Sequence, residues 1–309
     1  MVLNNIIVKD RENVNELTSS IKKLFDNLSI PLKEPRKIII KPNLCYYWDS
    51  STGQTTSPKL VSALIDYLRA EYPKKELEIV IAEADASAMK TKHAFKMLGY
   101  EKLSKEKKVR LLNLSSDPIS NFSTKVNSNK CSLAFSQELL DADMIINVPK
   151  LKFHRLPMVT GAMKNIYGAI ATEHKFSYHK VLSDIIVASN KIVNSNIILV
   201  DGLIALGQYP KFLNSLILGS NAFEMDCILA KIIGFNPRNV EYLSLWEREG
   251  LGKISDSEKM WNSGLSQLAK EFPKPHYFRQ KISWDSQLFV LSLYAKVMGD
   301  VIPPLLLDD

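Results

Sequence analysis

Apolar positions along the chain switch repeatedly between two spacings. Val14, Leu17, Ile21, Leu24 and Phe25 recur at three-to-four residue intervals, which predicts a helix over residues 13–28, with Pro31 and Pro35 beyond it. Residues 37–41 form a short apolar run held between lysines, and Pro42, Asn43 and Leu44 follow it. Ser57 before Pro58 reads as a helix start, and Leu60, Val61, Leu64, Ile65 and Leu68 supply the buried side. Residues 77–82 are a second strand, released into Glu83 and Asp85. Residues 91–98 read as a helix stopped by Gly99, and residues 109–114 as a further strand. Residues 117–130 are rich in Ser and Asn and read as a loop or short edge hairpin, before a short helix over 136–140. Met144 to Val148 is wholly apolar apart from Asn147, the length of one buried strand. Residues 181–192 read as helix, 197–200 as a strand ending at Asp201 and Gly202, 215–218 as a later strand, and 225–233 as a buried helix capped by Gly234.

Strands alternating with helices predict an α/β fold: a mostly parallel sheet with helices on both faces, plus a helical C-terminal region. Residues 1–240 are expected to form the core domain, and residues 241–309 a mainly helical extension packed on it. Four strands share a habit. Each is apolar and then delivers polar groups at its carboxyl end: Lys41 and Asn43, Glu83 and Asp85, Asn147 to His154, and Asp201. In such sheets ligands bind beyond the carboxyl edge, near a reversal of strand order.

The densest of these edges follows Val148. If the chain stays extended past Pro149, then Lys150, Lys152 and His154 share one face. Thr160 and Gly161 read as the cap of a short helix over residues 162–167, with Gly168 as its stop. A helix start beside three cationic or titratable side chains is expected to hold an anion.

Composition narrows the chemistry. Of 309 residues, 46% are hydrophobic and 24% charged, ordinary for a globular protein, and the net charge of +7 permits anionic partners without naming one. The basic run over residues 90–110 is interrupted by Ala94, Phe95, Met97, Leu98 and Leu103, so it reads as a helix with a solvated face; without a motif of that class it argues against a nucleic-acid surface. The three cysteines, Cys45, Cys131 and Cys227, lie far apart and form no C-x-x-C, so no zinc ribbon or ferredoxin cluster is encoded. Their odd number and the lack of a signal-peptide pattern point to the cytoplasm. Residues 288–307 are apolar but contain Lys296, Asp300 and two prolines, so no membrane span is expected. His174 and His179 are five apart and do not stack on a helix, so no metal pair is read there. Glycine-rich dinucleotide and P-loop motifs are absent, as is a serine-hydrolase elbow.

Lys41-Pro-Asn-Leu44, Thr56-Ser-Pro58, Glu83, Gly99-Tyr100, Asp143, Asn147-Val-Pro-Lys-Leu-Lys152, His154, Thr160-Gly-Ala-Met-Lys-Asn165, Gly168, His179, Asp201-Gly202, Ser220-Asn-Ala-Phe-Glu-Met-Asp226 and Gly234 together resemble the family known as domain of unknown function 362, over roughly residues 37–252. The resemblance implies no reaction or cofactor. Many relatives carry iron–sulfur ferredoxin segments; this chain has no such cysteines, so a cluster would belong to a ferredoxin-like partner. The family's glycine-rich turn after Asp-Gly is depleted here, where Gly207-Gln-Tyr-Pro210 leads into Lys211-Phe-Leu. A fainter likeness, with no motif of its own, runs to the amino-terminal part of nickel-dependent lactate racemase-type proteins.

The functional expectation is an enzyme site for a small anionic metabolite, carboxylate or phosphate, at the carboxyl edge of the sheet. Lys150, Lys152 and Lys164 supply charge, and Asn43, Asn147 and Asn165 orient the ligand, with Lys41, Thr160 and Gly161 lining it. His154 is the expected acid or base, partnered by Glu83 or Asp201. The competing expectations are a redox accessory protein serving an external iron–sulfur carrier, and a non-catalytic nucleic-acid binder.

Overall fold

The computed structural model describes residues 3–27, 34–73, 76–87, 89–126, 129–172 and 175–276. Its first half runs β1 (Asn4–Ile7), α1 (Val14–Asp26), β2 (Lys37–Pro42), α2 (Pro58–Glu71), β3 (Glu78–Glu83), α3 (Thr91–Met97), α4 (Tyr100–Lys107) and β4 (Arg110–Asn113). A hairpin of β5 (Ile119–Val126) and β6 (Asn129–Ser136) and the short α5 (Gln137–Leu140) lead into β7 (Met144–Val148), β8 (Lys150–His154), β9 (Met158–Thr160) and α6 (Ala162–Tyr167). Then come α7 (Leu182–Ile192), β10 (Ile197–Leu206), β11 (Pro210–Gly219), α8 (Ala222–Ile233), α9 (Glu241–Arg248), α10 (Ile254–Glu258) and α11 (Ser263–Glu271).

The main sheet has the order β1-β11-β10-β7-β2-β3-β4, with β8 beside β10 and β9 beside β8. β10, β7, β2, β3 and β4 are parallel neighbours. β11 and β1 are antiparallel to their neighbours, so the sheet is mostly parallel, as expected, with an antiparallel edge that makes it mixed. The physical reason lies in a tight turn. Gly207 to Tyr209 reverse the chain within three residues, too few for the crossover that a parallel pair requires. For the same reason Asp201 and Gly202 do not end a strand, as their sequence implies; β10 runs through them to Leu206.

Side-chain alternation divides the core. Ile38 and Ile40 of β2 join an apolar layer with α1, α2 and α4, whereas Ile39 joins the layer with α6, α7 and α8. Both faces of the sheet are thus covered by helices. Tyr242, Leu243, Leu265 and Leu268 from the last helices belong to the second layer. The basic run over 90–110 is not one helix. Gly99, at φ +82°, breaks it into α3 and α4, and Arg110 already belongs to β4. The Ser- and Asn-rich segment is most of the β5–β6 hairpin, a sheet of its own.

The strand order reverses between β2 and β7. From β2 the chain proceeds outward through β3 and β4, then returns to lay β7 on the opposite side of β2. The carboxyl ends of β2 and β7 flank the crevice where open sheets of this kind hold ligands.

Candidate functional site at the strand switch

Lys41 of β2 and Asn147 of β7 face each other in register at that crevice. The Lys41 Nζ donates to Glu83 Oε1 at 2.6 Å, and both side chains are buried. Glu83 is saturated further, accepting the amide hydrogens of Ala84 (3.0 Å) and Leu44 (3.2 Å). Such saturation is what allows a buried pair to persist. Three amides stitch the neighbouring segments. Asn165 Nδ2 donates to Asn147 Oδ1 at 2.8 Å and to the carbonyls of Lys41 and Pro42, both at 3.3 Å. Asn43 Nδ2 donates to Asn165 Oδ1 at 3.2 Å, and Asn147 Nδ2 to the Ala162 carbonyl at 2.9 Å. The Asn43 Oδ1 is buried with no hydrogen-bond partner among the described residues.

A second buried pair lies on the other face. Lys150 Nζ meets Asp201 Oδ1 at 2.9 Å, and Asp201 also accepts the amide hydrogens of Ser57 (2.8 Å) and Leu203 (3.1 Å). Burial, opposed by Asp201, pushes the Lys150 amine below its usual range. This pair anchors the loop between β2 and α2. Lys152 Nζ donates to the Gln54 carbonyl of that loop at 2.7 Å, and the Thr56 hydroxyl to the Val148 carbonyl at 2.9 Å. A cleft of about 520 Å³ opens there, lined by Arg11, Ser57, Lys59 and Lys150 among others; its charges are largely matched, Lys59 by Glu12 and Lys150 by Asp201.

Unmatched charge collects at the switch instead. Lys164 of α6 is lowered to about 8 by burial and by the nearby Lys152 and Lys41, with the Cys45 sulfur pulling the other way. Lys175, buried in the 3-10 turn Lys175–Val181, is lowered to about 7 by burial, with Glu83 and Asp85 opposing and Lys41 and Lys164 reinforcing. His154 is held well below its ordinary value by burial and then by Lys164, Lys152, His179 and Arg155. His179 is lowered by burial and by Lys164.

Asp226 of α8 occupies the start of α6. Its carboxylate accepts the amide hydrogens of Ala162 (2.5 Å) and Met163 (3.1 Å) and the hydroxyl of Tyr242 (2.9 Å). Gly161 permits this approach, because a Cβ there would lie 2.0 Å from Asp226 Oδ1. The anion expected at Thr160 and Gly161 is therefore the protein's own carboxylate, a correction to the sequence reading. The Thr160 hydroxyl is buried without a partner among the described residues, and makes no cap.

The structure brings together Lys41, Asn43, Glu83, Asn147, Lys152, His154, Lys164 and Asn165 of the expected residues. It sets Lys150 and Asp201 apart as a pair beneath the loop. Neither carboxylate expected to partner His154 does so: Glu83 is engaged by Lys41 and Asp201 by Lys150. The His154 Nδ1 accepts the Leu156 amide hydrogen at 3.1 Å. Lys175 was missed, since a lone lysine carries no motif; Asp226 stood only as the end of a longer matched segment. His174 lies outside the described residues. Among the described residues no group of three or more His, Cys, Asp and Glu could hold a metal, and no helix is long and apolar enough to cross a membrane.

Comparison with known proteins adds one sequence relative and one solved structure. Over 132 residues the chain is 26% identical to the thylakoid-associated protein sll1697 of Synechocystis sp. (strain ATCC 27184 / PCC 6803 / Kazusa), covering 38% of this chain and 41% of that one. The lactate racemase apoprotein from Thermoanaerobacterium thermosaccharolyticum aligns at a TM-score of 0.41 and 14% identity, covering 70% of this chain and 55% of that one. The chain thus spans less than two thirds of the length of either protein. The family described as "Domain of unknown function (DUF362)" matches residues 38–231, from β2 into α8 and so across every residue of the switch crevice, and the chain belongs to that family.

Proposed function

We propose that the crevice between β2 and β7 binds a small anionic metabolite, a carboxylate or phosphate, and that the chain is an enzyme acting on it. One observation carries the reading. Lys152, Lys164 and Lys175 converge where Lys41 is already matched to Glu83, so positive charge there exceeds the carboxylates set against it. An anion among these amines offsets the burial, and then the repulsion from Lys152 and Lys41, that lower Lys164, and a lysine is a point-charge binder suited to that role. Asn43, whose Oδ1 has no donor, offers an acceptor to a ligand hydroxyl. His154, kept neutral near pH 7 by burial and then by its cationic surroundings, serves as a proton acceptor. The Lys150–Asp201 pair holds the covering loop. We place the protein in the cytoplasm; Cys45, Cys131 and Cys227 are all unpaired, in keeping with a reducing compartment.

Calorimetric titration with malonate and with inorganic phosphate tests the reading. Lys164→Met is expected to weaken binding by about tenfold or more, the loss of roughly 1.4 kcal/mol or more. Equal affinity in the variant and the parent, or no binding to either probe, would remove it.

A further inference from the structure

Lys175 is fixed at both ends. Its carbonyl accepts the Tyr167 hydroxyl at 2.9 Å, and its Nζ donates to the Gly168 carbonyl at 2.6 Å. Only 6% of the residue is exposed, so the amine is withdrawn from bulk water. Lys41 reaches the same glycine: a Cβ on Gly168 would lie 3.6 Å from the Lys41 Nζ. The Gly168 backbone is ordinary right-handed helix, and its smallness keeps it clear of the Asn165 carbonyl, which would stand 2.9 Å from a Cβ. Next to it stand Asn165 and, bonded to Asn165, Asn43 with its buried, donorless Oδ1. The groups around the Lys175 amine are therefore two further lysines, Lys41 and Lys164, and two carboxylates, Glu83 and Asp85, of which Glu83 is held by Lys41.

We propose that Lys175 is the amine nucleophile of this crevice and forms an imine with a 2-oxo acid. The proposal deepens, and rests on, the reading of the crevice as an anion site. A desolvated lysine beside other cations keeps a larger fraction of its amine free to attack, which is how lysines that form imines with carbonyl substrates are activated. Its amine is lowered to about 7, consistent with that fraction being substantial at neutral pH. The neighbouring ammonium groups of Lys164 and Lys152 take the carboxylate of the same substrate. The nitrogen attacks the carbonyl carbon, and the π pair passes to the oxygen. The carbinolamine hydroxyl that results meets the orphan Asn43 Oδ1. The carbon–oxygen bond then breaks, and both amine hydrogens leave with that oxygen as water, giving the carbon–nitrogen double bond without any oxidant or reductant.

The test is reductive trapping on the full chain. Pyruvate and 2-oxoglutarate are added with cyanoborohydride, and adducts are mapped by peptide mass spectrometry. Trapping is expected at Lys175 at least tenfold above any other lysine, suppressed by excess sulfate and abolished in Lys175→Arg. The circular dichroism spectrum of that variant is expected to match the parent's, so that loss of the adduct reports the missing amine and not a lost fold. Adducts scattered over surface lysines, or centred on Lys164, overturn the assignment. Sulfate binding with no adduct at Lys175 also overturns it, while leaving the anion site standing. Absence of sulfate binding instead overturns the anion reading beneath it.

Discussion

The Asp226 carboxylate lies against the amide of Ala162, accepting its hydrogen at 2.5 Å, and so ties α8 to the first turn of the helix that carries Lys164 and Asn165. A short helix has little stability of its own, so this tie fixes where those two side chains stand. Asp226→Ala leaves the amides of Ala162 and Met163 and the Tyr242 hydroxyl without their acceptor. The loss is expected at roughly 2–4 kcal/mol in urea unfolding, from the cost of stranded buried polar groups. Gly161→Ala is expected to destabilise similarly, because its new methyl collides with the same carboxylate. Unfolding midpoints unchanged in both variants would show that α6 needs no such tie.

Burial raises Asp226 from 3.8 to about 7, against three hydrogen bonds that lower it. A carboxyl whose folded value lies above its unfolded value keeps its proton in the folded state across that interval. Stability from this residue therefore declines as pH rises from about 4 to about 7 and levels off above. The stability gap between the parent and Asp226→Ala is expected to narrow over the same interval. A gap that widens with pH would mean that the ionised form is the one the fold prefers.

Lys41 and Glu83 invite a double-mutant cycle. Lys41→Met strands a buried carboxylate and is expected to cost roughly 3–5 kcal/mol. Adding Glu83→Gln removes the stranded charge and keeps an acceptor oxygen for one of the two amides, Leu44 or Ala84. The double variant is expected to recover part of the loss. Additive losses would contradict a direct coupling between the two.

Lys150 separates scaffold from site. Lys150→Met leaves Asp201 buried with only the amides of Ser57 and Leu203, so stability is expected to fall by roughly 3 kcal/mol or more. Sulfate affinity is expected to stay within threefold. A tenfold loss of affinity would return Lys150 to the ligand.

Much of the fold is legible in the chain because its strands and helices obey their periods locally. Met144–Val148, Ala162–Tyr167 and the Gly234 stop fall where the pattern puts them. The antiparallel edge is not legible in the same way. β1 is only four residues long, and Asp201-Gly202 looks like a turn until β11 is seen paired across it. At the site, residue type revealed which groups carry charge, yet not which charges cancel. Lys150 and Lys164 look alike in sequence; only the distance to Asp201 distinguishes a neutralised amine from one left among other lysines.

Sulfate stays ionised across the working range, so the pH dependence of its binding reports on the protein. Lys164, at about 8, loses its proton as pH rises, and at pH 9 about a tenth of it remains charged. Calorimetric affinity is expected to fall steeply between pH 7 and 9 in the parent and less in Lys164→Met, where Lys175, at about 7, still loses its proton. Parallel profiles would remove Lys164 from the binding site.

The most direct measurement is the position of a heavy anion in crystals of the full chain soaked with selenate, read from anomalous scattering. A peak within about 4 Å of the Lys164 Nζ, one Se–O bond beyond hydrogen-bond reach and beside Lys152, is the expected result. A peak found only in the cleft of Arg11 and Lys59, with none beside Lys164, would contradict the account.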